Sequence, residues 1–295
     1  MDLQHLVKDG LVAGVTYHDQ LPSTNDLALQ LGKQMDLPLP HLVLTDCQTA
    51  GRGRGINPWW WATGALTFSL IVDSAKWQWD ETDLPKLPLA VGVAVCDAVQ
   101  QGLPDATVGL KWPNDVWLNG RKVAGILVER IELAGEDGGT LSTGRLVIGV
   151  GVNVNNRWDQ APTEIRGLGT SMAQAIDSQR NPSSEKTAET FDQQSVLRAV
   201  LQACWSWFAQ VKVSSGGLDV TTGTAQVNSA NIGSGSTLHE RLKVLCVLTG
   251  RQVVVKQAQT QIHGYCEGIG TQGQLLLRTA TGLYGCTGGV VEAIK

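Results

Sequence analysis

The sequence predicts an α+β protein with a mixed α/β sheet in a large domain and a small β-barrel after it. Strand-like and helix-like segments alternate between residues 11 and 155, which is typical of one sheet covered by helices. Residues 87–103 are apolar on most sides and long enough for a buried helix. From about Thr249 the chain changes to short strands separated by Gly- and Gln-rich turns, the pattern of a small antiparallel barrel.

The composition is that of an ordinary globular protein. The chain has 295 residues, of which 42% are hydrophobic and 17% charged, and its length allows a large domain with or without a small one. A formal net charge of −4 argues against a global attraction to nucleic acid. Because there is neither a signal peptide nor a long apolar run, we expect a cytoplasmic protein without a membrane segment. Six scattered cysteines predict reduced, mostly buried thiols without metal-ligand spacing.

Periodicity and turn residues predict the elements of the large domain. Ser23 or Thr24 suits the N-cap of a short helix that ends at Gly32. Residues 108–132 indicate two strands joined by a hairpin with Asn119-Gly120 at its tip. Further strands are predicted at 11–17, 41–47, 64–72 and 146–155.

The second half of the chain has one strong helix signal. Residues 196–211 form an amphipathic pattern whose apolar stripe predicts core packing. The polar stretches 178–195 and 214–237 are expected to be exposed insertions. A last short helix is predicted at 238–248, and the barrel strands at 251–256, 261–269, 274–279 and 289–294.

A glycine-rich basic loop, Gly51-Arg52-Gly53-Arg54-Gly55, follows the second predicted strand. Its glycines let the backbone approach a bulky anion closely, and its arginines provide forked donors that suit phosphate or carboxylate. The same pentapeptide also suits a flexible surface loop or an RNA contact. It is not a P-loop, because no Gly-Lys-Ser/Thr follows.

Two lysine segments could place cations in a site. Lys111 ends an apolar strand and precedes Trp112-Pro113-Asn114-Asp115, a proline-fixed turn that would hold the cation rigidly. Lys122 leads into a strand in which Gly125 allows close packing or the approach of a ligand. The structural alternatives are an ordinary turn capped by Asp115 and a solvated hairpin lysine.

Glycines also interrupt the predicted strand that contains Gly149, Gly151 and Asn153. Glycines inside a strand indicate a bulge or a ligand against the backbone, and Asn153 could bind a nucleotide or bridge neighbouring strands. For Ser23-Thr24-Asn25 considered alone, helix capping is the favoured interpretation.

Together and in this order, the segments STND, TDCQTAGRGRG, KWPNDVWLNGRKVAGILVE and GVGVNVN resemble the biotin–protein ligase family. The similarity continues through APTEIRGLGTSM and GYCEGIGTQGQLLLRTATGLYGCTGGVV. It implies a catalytic domain of the biotin/lipoate ligase type at 1–248 and an SH3-like barrel at 249–295. It also implies an enzyme that uses ATP and Mg²⁺ to convert biotin to biotinyl-AMP. The biotinyl group would then pass to a lysine of a biotin carboxyl carrier protein domain of acetyl-CoA carboxylase or a related carboxylase. No nucleic-acid or membrane partner is implied, and the protein would be a monomer or homodimer.

The resemblance assigns roles residue by residue. Lys122 matches a lysine that contacts carboxylate and phosphate oxygens, and Lys111 one that faces the phosphates. Arg52 and Arg54 match arginines of a loop that closes over biotin and its adenylate, and these four are the implied catalytic residues. The implied biotin-binding residues are Ser23, Thr24, Asn25, Gln48, Gly51, Arg52, Gly53, Arg54, Lys122 and Gly125. The implied ATP-binding residues are Arg54, Trp59, Lys111, Asn114, Asp115, Lys122 and Asn153, with Asp115 near Mg²⁺.

The sequence departs from the family in two places. It begins almost directly with the catalytic domain, so the helix-turn-helix of bifunctional members and their repressor activity are expected to be absent. Residues 55–58 replace a further R-G-R of many bacterial members, and Trp59 could pack under the loop instead of facing adenine. The alternatives to biotin ligation are a lipoate ligase or lipoyl/octanoyl transferase, and a non-catalytic RNA-binding module.

Overall fold

The computed structural model describes residues 3–134, 140–177, 190–212 and 236–294. The helices in these ranges are α1 Gln4–Lys8, α2 Thr24–Leu31, α3 Leu87–Gly102, α4 Met172–Asp177, α5 Gln193–Phe208 and α6 Leu238–Leu245, with short 3₁₀ helices at Ala75–Trp77, Leu84–Lys86 and Trp158–Gln160. The strands are β1 Gly14–Leu21, β2 His41–Gln48, β3 Ala65–Asp73, β4 Val108–Lys111, β5 Asp115–Leu118, β6 Arg121–Ala134, β7 Thr140–Asn153, β8 Gln252–Gln257, β9 Thr260–Ile269, β10 Leu275–Thr279, β11 Gly282–Cys286 and β12 Val290–Ile294.

Seven strands form one mixed sheet in the order β1-β2-β3-β7-β6-β5-β4. Its β1 and β2 are parallel, and the other neighbours are antiparallel. A second sheet, β11-β10-β9-β8-β12, is antiparallel throughout. These two sheets confirm the predicted fold class, whereas a domain boundary at residues 248/249 stays a prediction.

The two faces of the large sheet carry different cores because side chains alternate along a strand. On one face, α2 covers a small apolar cluster that contains Ala28, Val43, Ile71 and Val147. The other face packs against α3, which in turn packs against α5, in a core that continues into the second sheet. The predicted apolar stripe of α5 and the turn after it is confirmed, since all its members are buried, namely Val196, Val200, Cys204, Trp207 and Val211.

Two hydrogen bonds attach the C-terminal part of the chain to residues 110–112. Trp112 Nε1 donates to the Gly273 carbonyl at 3.0 Å, and the backbone N–H of Val247 donates to the Leu110 carbonyl at 3.1 Å. These bonds bring the C-terminal strands next to the end of β4. As a result, residues far apart in sequence can line one pocket.

The structure corrects several predicted elements. The segment 108–132 contains three strands, not two, because the turn at 112–114 separates β4 from β5. Asp192 caps α5 by accepting from the backbone of Gln194 and Ser195, so this helix begins inside the stretch predicted to be a loop. Strand β11 was missed because four of its five residues are exposed and lack an apolar pattern. The segments 178–189 and 214–235 of the predicted insertions lie outside the described residues.

All six cysteines are free, and five of them are buried, as predicted. In the part of the chain that the structure describes, no helix is long and apolar enough to cross a membrane.

Candidate active site

The candidate site lies on the face of the large sheet that α2 covers, next to that helix. On β6 the same face carries Gly125, Leu127 and Glu129, because residues at alternate positions point to one side. Small and polar residues occupy this half of the face, which leaves room for a pocket. The pocket contains most residues singled out in the sequence: Ser23, Thr24, Asn25, Gln48, Arg52, Gly53, Arg54, Trp59, Lys111, Asn114, Asp115, Lys122 and Gly125.

Two strand glycines are explained by the side chains that lie on them. A Cβ at Gly149 would stand 2.0 Å from Asn25 Oδ1, and one at Gly151 would stand 2.4 Å from the Trp59 ring. Heavy atoms cannot approach so closely, so any side chain at either position would displace its neighbour. The glycines therefore let Asn25 and Trp59 lie directly on the backbone of β7.

One end of the pocket is neutral and polar. The Gln48 side-chain oxygen accepts from the Thr24 backbone N–H at 2.7 Å and from the Thr24 hydroxyl at 3.1 Å. Ser69 places its hydroxyl 2.8 Å from that of Thr24. Ser23 caps α2 by accepting from the Asp26 N–H. Because these groups are buried and held by one another, they offer fixed hydrogen-bonding positions to a ligand.

Asn25 holds this polar end to the floor of the pocket. Its Oδ1 accepts from the Ser69 hydroxyl at 2.6 Å. Its Nδ2 donates to Glu129 Oε2 at 2.8 Å and to the Leu127 carbonyl at 3.4 Å. Both amide protons of Asn25 are thus engaged within the protein, which leaves only the carbonyl oxygen able to meet a ligand.

The other end of the pocket is cationic. Lys122 Nζ lies 2.6 Å from Asp115 Oδ1 and 5.8 Å from the centre of the Trp59 ring. Lys111 Nζ lies over Trp117, 5.2 Å from the ring centre. Burial, and secondarily the charge of Lys122, lowers the pKa of Lys111, while Asp115 acts in the opposite direction. Of the two ammonium groups only Lys122 is paired with the Asp115 carboxylate, so a bound anion would add a counter-charge for Lys111.

The turn of the KWPND segment is held to β6. Asn114 Nδ2 donates to the Ile126 carbonyl at 2.7 Å, and the Ile126 N–H donates back to the Asn114 carbonyl at 3.0 Å. The side chain of Asn114 thereby fixes the turn that carries Asp115. Its amide is already partly used inside the protein.

The glycine-rich loop folds back on itself beside the pocket. Arg52 and Pro58 form an antiparallel bridge, and the Gly53 N–H donates to the Asn57 carbonyl at 2.8 Å. At the loop tip, Arg54 NH1 donates to the Gly289 carbonyl at 2.5 Å. The loop therefore spans the space between the large sheet and the C-terminal strands.

The two arginines of the loop differ in their surroundings. Arg52 Nε lies 2.8 Å from Asp26 Oδ1, and its NH1 and NH2 donate to the two carboxylate oxygens of Glu129 at 3.0 and 2.7 Å. Its charge is thus met by two carboxylates. Arg54 contacts only a backbone carbonyl among the described residues, so its charge remains available.

Two of the residues singled out in the sequence do not line the pocket. Gly51 lies behind it, where its carbonyl accepts from the Trp59 N–H at 2.9 Å. Asn153 is wholly buried, and its Oδ1 accepts from Asn156 Nδ2 at 3.0 Å. The Nδ2 of Asn153 has no hydrogen-bond partner among the described residues. Trp59 lines the pocket and also packs on Gly151 of β7.

Sequence reasoning missed several residues of the site. Ser69 and Glu129 support Asn25, while Val290 and Val291 of β12 line the pocket. Alternation along β6 could have found Glu129, since it is two and four residues from Leu127 and Gly125. No local signal marks Val290 and Val291, because packing of the second sheet brings them there.

The described residues contain no cluster of three or more His, Cys, Asp or Glu side chains that could hold a metal ion by itself. Asp115 is the single carboxylate among the described residues that line the pocket. A metal bound here would therefore need most of its ligands from a substrate.

Residues 17–153 match the model of the biotin/lipoate A/B protein ligase family. Over 159 residues, the chain is 35% identical to the bifunctional ligase/repressor BirA of Bacillus subtilis, an alignment that covers 54% of this chain and 46% of that protein. It thus spans about half the length of this relative. A longer match joins it to the biotin–[acetyl-CoA-carboxylase] ligase of Paracoccus denitrificans, with 28% identity over 88% of this chain and 92% of that protein.

The biotin protein ligase from Aquifex aeolicus, solved in complex with biotin and ATP, has a similar fold. The TM-score is 0.69, with 23% identity over 96% of this chain and 98% of that chain. At this identity the similarity shows the fold alone. It covers both sheets of the described structure.

Proposed function

We propose that the chain is a biotin–protein ligase, because residues 17–153 match the model of the biotin/lipoate A/B protein ligase family and a longer match joins it to a biotin–[acetyl-CoA-carboxylase] ligase. The observation that carries this proposal is the polarity of the pocket. Its neutral polar end is formed by Ser23, Thr24 and Gln48, and its cationic end by Lys111 and Lys122. Biotin has a neutral ureido ring at one end and a carboxylate at the other, so it matches both ends.

We assign recognition of the ureido ring to the buried hydroxyl and amide groups. The Ser23 hydroxyl proton and Gln48 Nε2 form no hydrogen bond with any described residue, so both can serve a ligand. Asn25, which lies on Gly149, helps to fix the position of these groups through Ser69. Donors and acceptors that are held in place before a ligand arrives bind it without a further ordering cost.

In the first step, an oxygen of the biotin carboxylate attacks the α-phosphorus of ATP, and pyrophosphate leaves. Both reactants are anions, and negative charge is concentrated on the phosphoryl oxygens as they meet. We propose that Lys122 and Lys111 offset this charge as fixed cations. Arg54, at the tip of the loop, is free to add a third cation from the opposite side.

In the second step, the amine of an acceptor lysine attacks the acyl carbon of biotinyl-AMP. The amine loses a proton, AMP leaves, and an amide bond forms. We propose that the acceptor is a carrier domain of acetyl-CoA carboxylase or a related carboxylase, which is supported by the name of the Paracoccus relative. The loop would shield the reactive anhydride from water until the acceptor arrives.

We assign Asp115 and Asn153 to different parts of the nucleotide: Asp115 to its metal ion and Asn153 to its base. Mg²⁺ commonly takes one or two protein carboxylates and completes its shell with phosphate oxygens and water, so the lone carboxylate of Asp115 fits such an ion. When bound, Mg²⁺ would neutralise part of the phosphate charge. The unpartnered Nδ2 of buried Asn153 suits a ring nitrogen of adenine, and access to it requires a shift of the residues that cover it.

Biotin-dependent exchange of labelled pyrophosphate into ATP tests the proposal directly. We expect exchange with biotin, and a severe loss of it in Lys122→Ala without loss of the fold. Lys76→Ala, an exposed lysine on a short 3₁₀ helix, is the matched control and should retain exchange. Exchange supported by lipoate and not by biotin would contradict the proposal, as would near-normal exchange by Lys122→Ala.

A further inference from the structure

We propose that Glu129 is a positioning residue that anchors the glycine-rich loop and Asn25. Within the loop, Arg52 is the residue through which Glu129 acts. The proposal rests on the proposed biotin pocket and adds to it a residue that sequence reasoning did not assign. Neither guanidinium nor carboxylate would then need to touch a reacting atom. Their effect would pass through the loop and through α2.

The contacts of Glu129 join two parts of the pocket. One carboxylate accepts three hydrogen bonds: from Arg52 NH1 at 3.0 Å, from Arg52 NH2 at 2.7 Å and from Asn25 Nδ2 at 2.8 Å. Arg52 belongs to the loop, and Asn25 to the first turn of α2. Both are thereby fixed to the same point on β6.

The geometry favours an anchor over a contact with phosphate. Arg52 presents a two-pronged pair to Glu129, and its third nitrogen lies 2.8 Å from Asp26 Oδ1. A phosphate would have to displace at least one of these carboxylates and would be repelled by it. Paired, two-pronged guanidinium–carboxylate bonds are the strong and directional kind of ion pair, which suits a fixed support.

Partial burial gives this pair more strength than an exposed ion pair. The side chain of Glu129 is 25% exposed and that of Arg52 38%. The Asn25 side chain between Glu129 and Ser69 is buried. Solvent therefore screens the anchor incompletely.

An anchor predicts a specific kinetic effect. If the loop is ordered before biotin binds, loss of the anchor lowers the fraction of binding-competent protein, and the apparent affinity falls by that fraction. We expect KM for biotin to rise about tenfold in Glu129→Gln, equivalent to roughly 1.4 kcal/mol. The value of kcat should change less than about twofold, since the reacting groups remain in place.

A double-mutant cycle separates the anchor from a direct contact. Arg52→Met should raise KM like Glu129→Gln, and the double variant should be no worse than the more severe single variant. Glu132→Gln, an exposed glutamate three residues further along β6, is the matched control and should behave like the parent protein. A fall in kcat at unchanged KM, or additive effects of the two substitutions, would overturn the proposal.

Hydrogen exchange of residues 49–61 in the ligand-free protein tests the anchor without reference to any substrate. Faster exchange in Glu129→Gln and Arg52→Met, but not in Glu132→Gln, supports it even if biotin proves to be the wrong ligand. Unchanged loop exchange in both variants would overturn it, whatever the pocket binds. Failure of the anchor and failure of the proposed function are therefore distinguishable.

Discussion

Replacing Gly149 by alanine tests the floor of the pocket. The three atoms nearest to the new Cβ all belong to Asn25, with Oδ1 at 2.0 Å and Cγ at 2.7 Å. Asn25 cannot turn away without losing its bonds to Ser69 and Glu129. Overpacking costs about 1–3 kcal/mol, and each lost buried hydrogen bond about 1–3 kcal/mol. We therefore expect Gly149→Ala to lower the free energy of unfolding by about 3 kcal/mol and to weaken biotin binding.

Urea denaturation of four variants checks the reasoning. Truncating Asn25 removes the clash, so Asn25→Ala/Gly149→Ala should be about as stable as Asn25→Ala alone. Gly167→Ala is the control, because no atom lies within 4 Å of its Cβ position and its effect should stay within about 1 kcal/mol. Additive losses in the double variant, or a loss below about 1 kcal/mol in Gly149→Ala, would refute the steric argument.

Other perturbations address the loop, the end of α2 and the cationic end of the pocket. A Cβ at Gly151 would stand 2.4 Å from the Trp59 ring, so Gly151→Ala should displace the indole and speed proteolytic cleavage within residues 49–61; unchanged cleavage would argue against this packing. Arg145 is buried and donates to three backbone carbonyls after α2, so Arg145→Met should lower the free energy of unfolding in urea by about 3 kcal/mol, and a loss below about 1 kcal/mol would contradict its role as a cap. Because the pKa of Lys111 is lowered mainly by burial, a bound phosphate should raise it again. At a pH between the lowered and the ordinary lysine pKa, ATP binding should then be accompanied by proton uptake. Calorimetry in buffers of different ionisation enthalpy would detect this uptake. If Lys111→Met still took up protons, the uptake would belong to a group other than Lys111.

Much of the fold follows from local patterns. The apolar stripe of α5 predicted its buried face. Ser23 or Thr24 was expected to cap α2, and the contact of Ser23 with the Asp26 N–H shows that Ser23 is the cap. The family resemblance agrees with the match of residues 17–153 to the biotin/lipoate A/B protein ligase family and with the longer match to a biotin–[acetyl-CoA-carboxylase] ligase. Boundaries were less predictable, because the start of α5 depends on one capping carboxylate at Asp192. The polar composition of residues 178–195 gave no indication that a helix begins within them.

The candidate site was only partly predictable for a physical reason. A sequence shows which residues can donate, accept or carry charge, and so it identified the lysines, the arginines and the polar end of the pocket as a set. Their partners lie far along the chain: Glu129 is 77 residues from Arg52, and Asn25 is 104 residues from Glu129. Spacing cannot indicate such pairs.

The amino-acid sequence by itself determined which chemical groups this protein can present to a ligand. It also determined at which strand positions glycine leaves the backbone without a covering side chain. Only the tertiary structure decided how these groups are used. Packing placed Asn25 on Gly149 and Trp59 on Gly151. It also paired Arg52 with two carboxylates, whereas Arg54 meets none among the described residues. The reason is that hydrogen bonds and ion pairs act over a few ångströms, and only the folded sheet brings these distant side chains within that range.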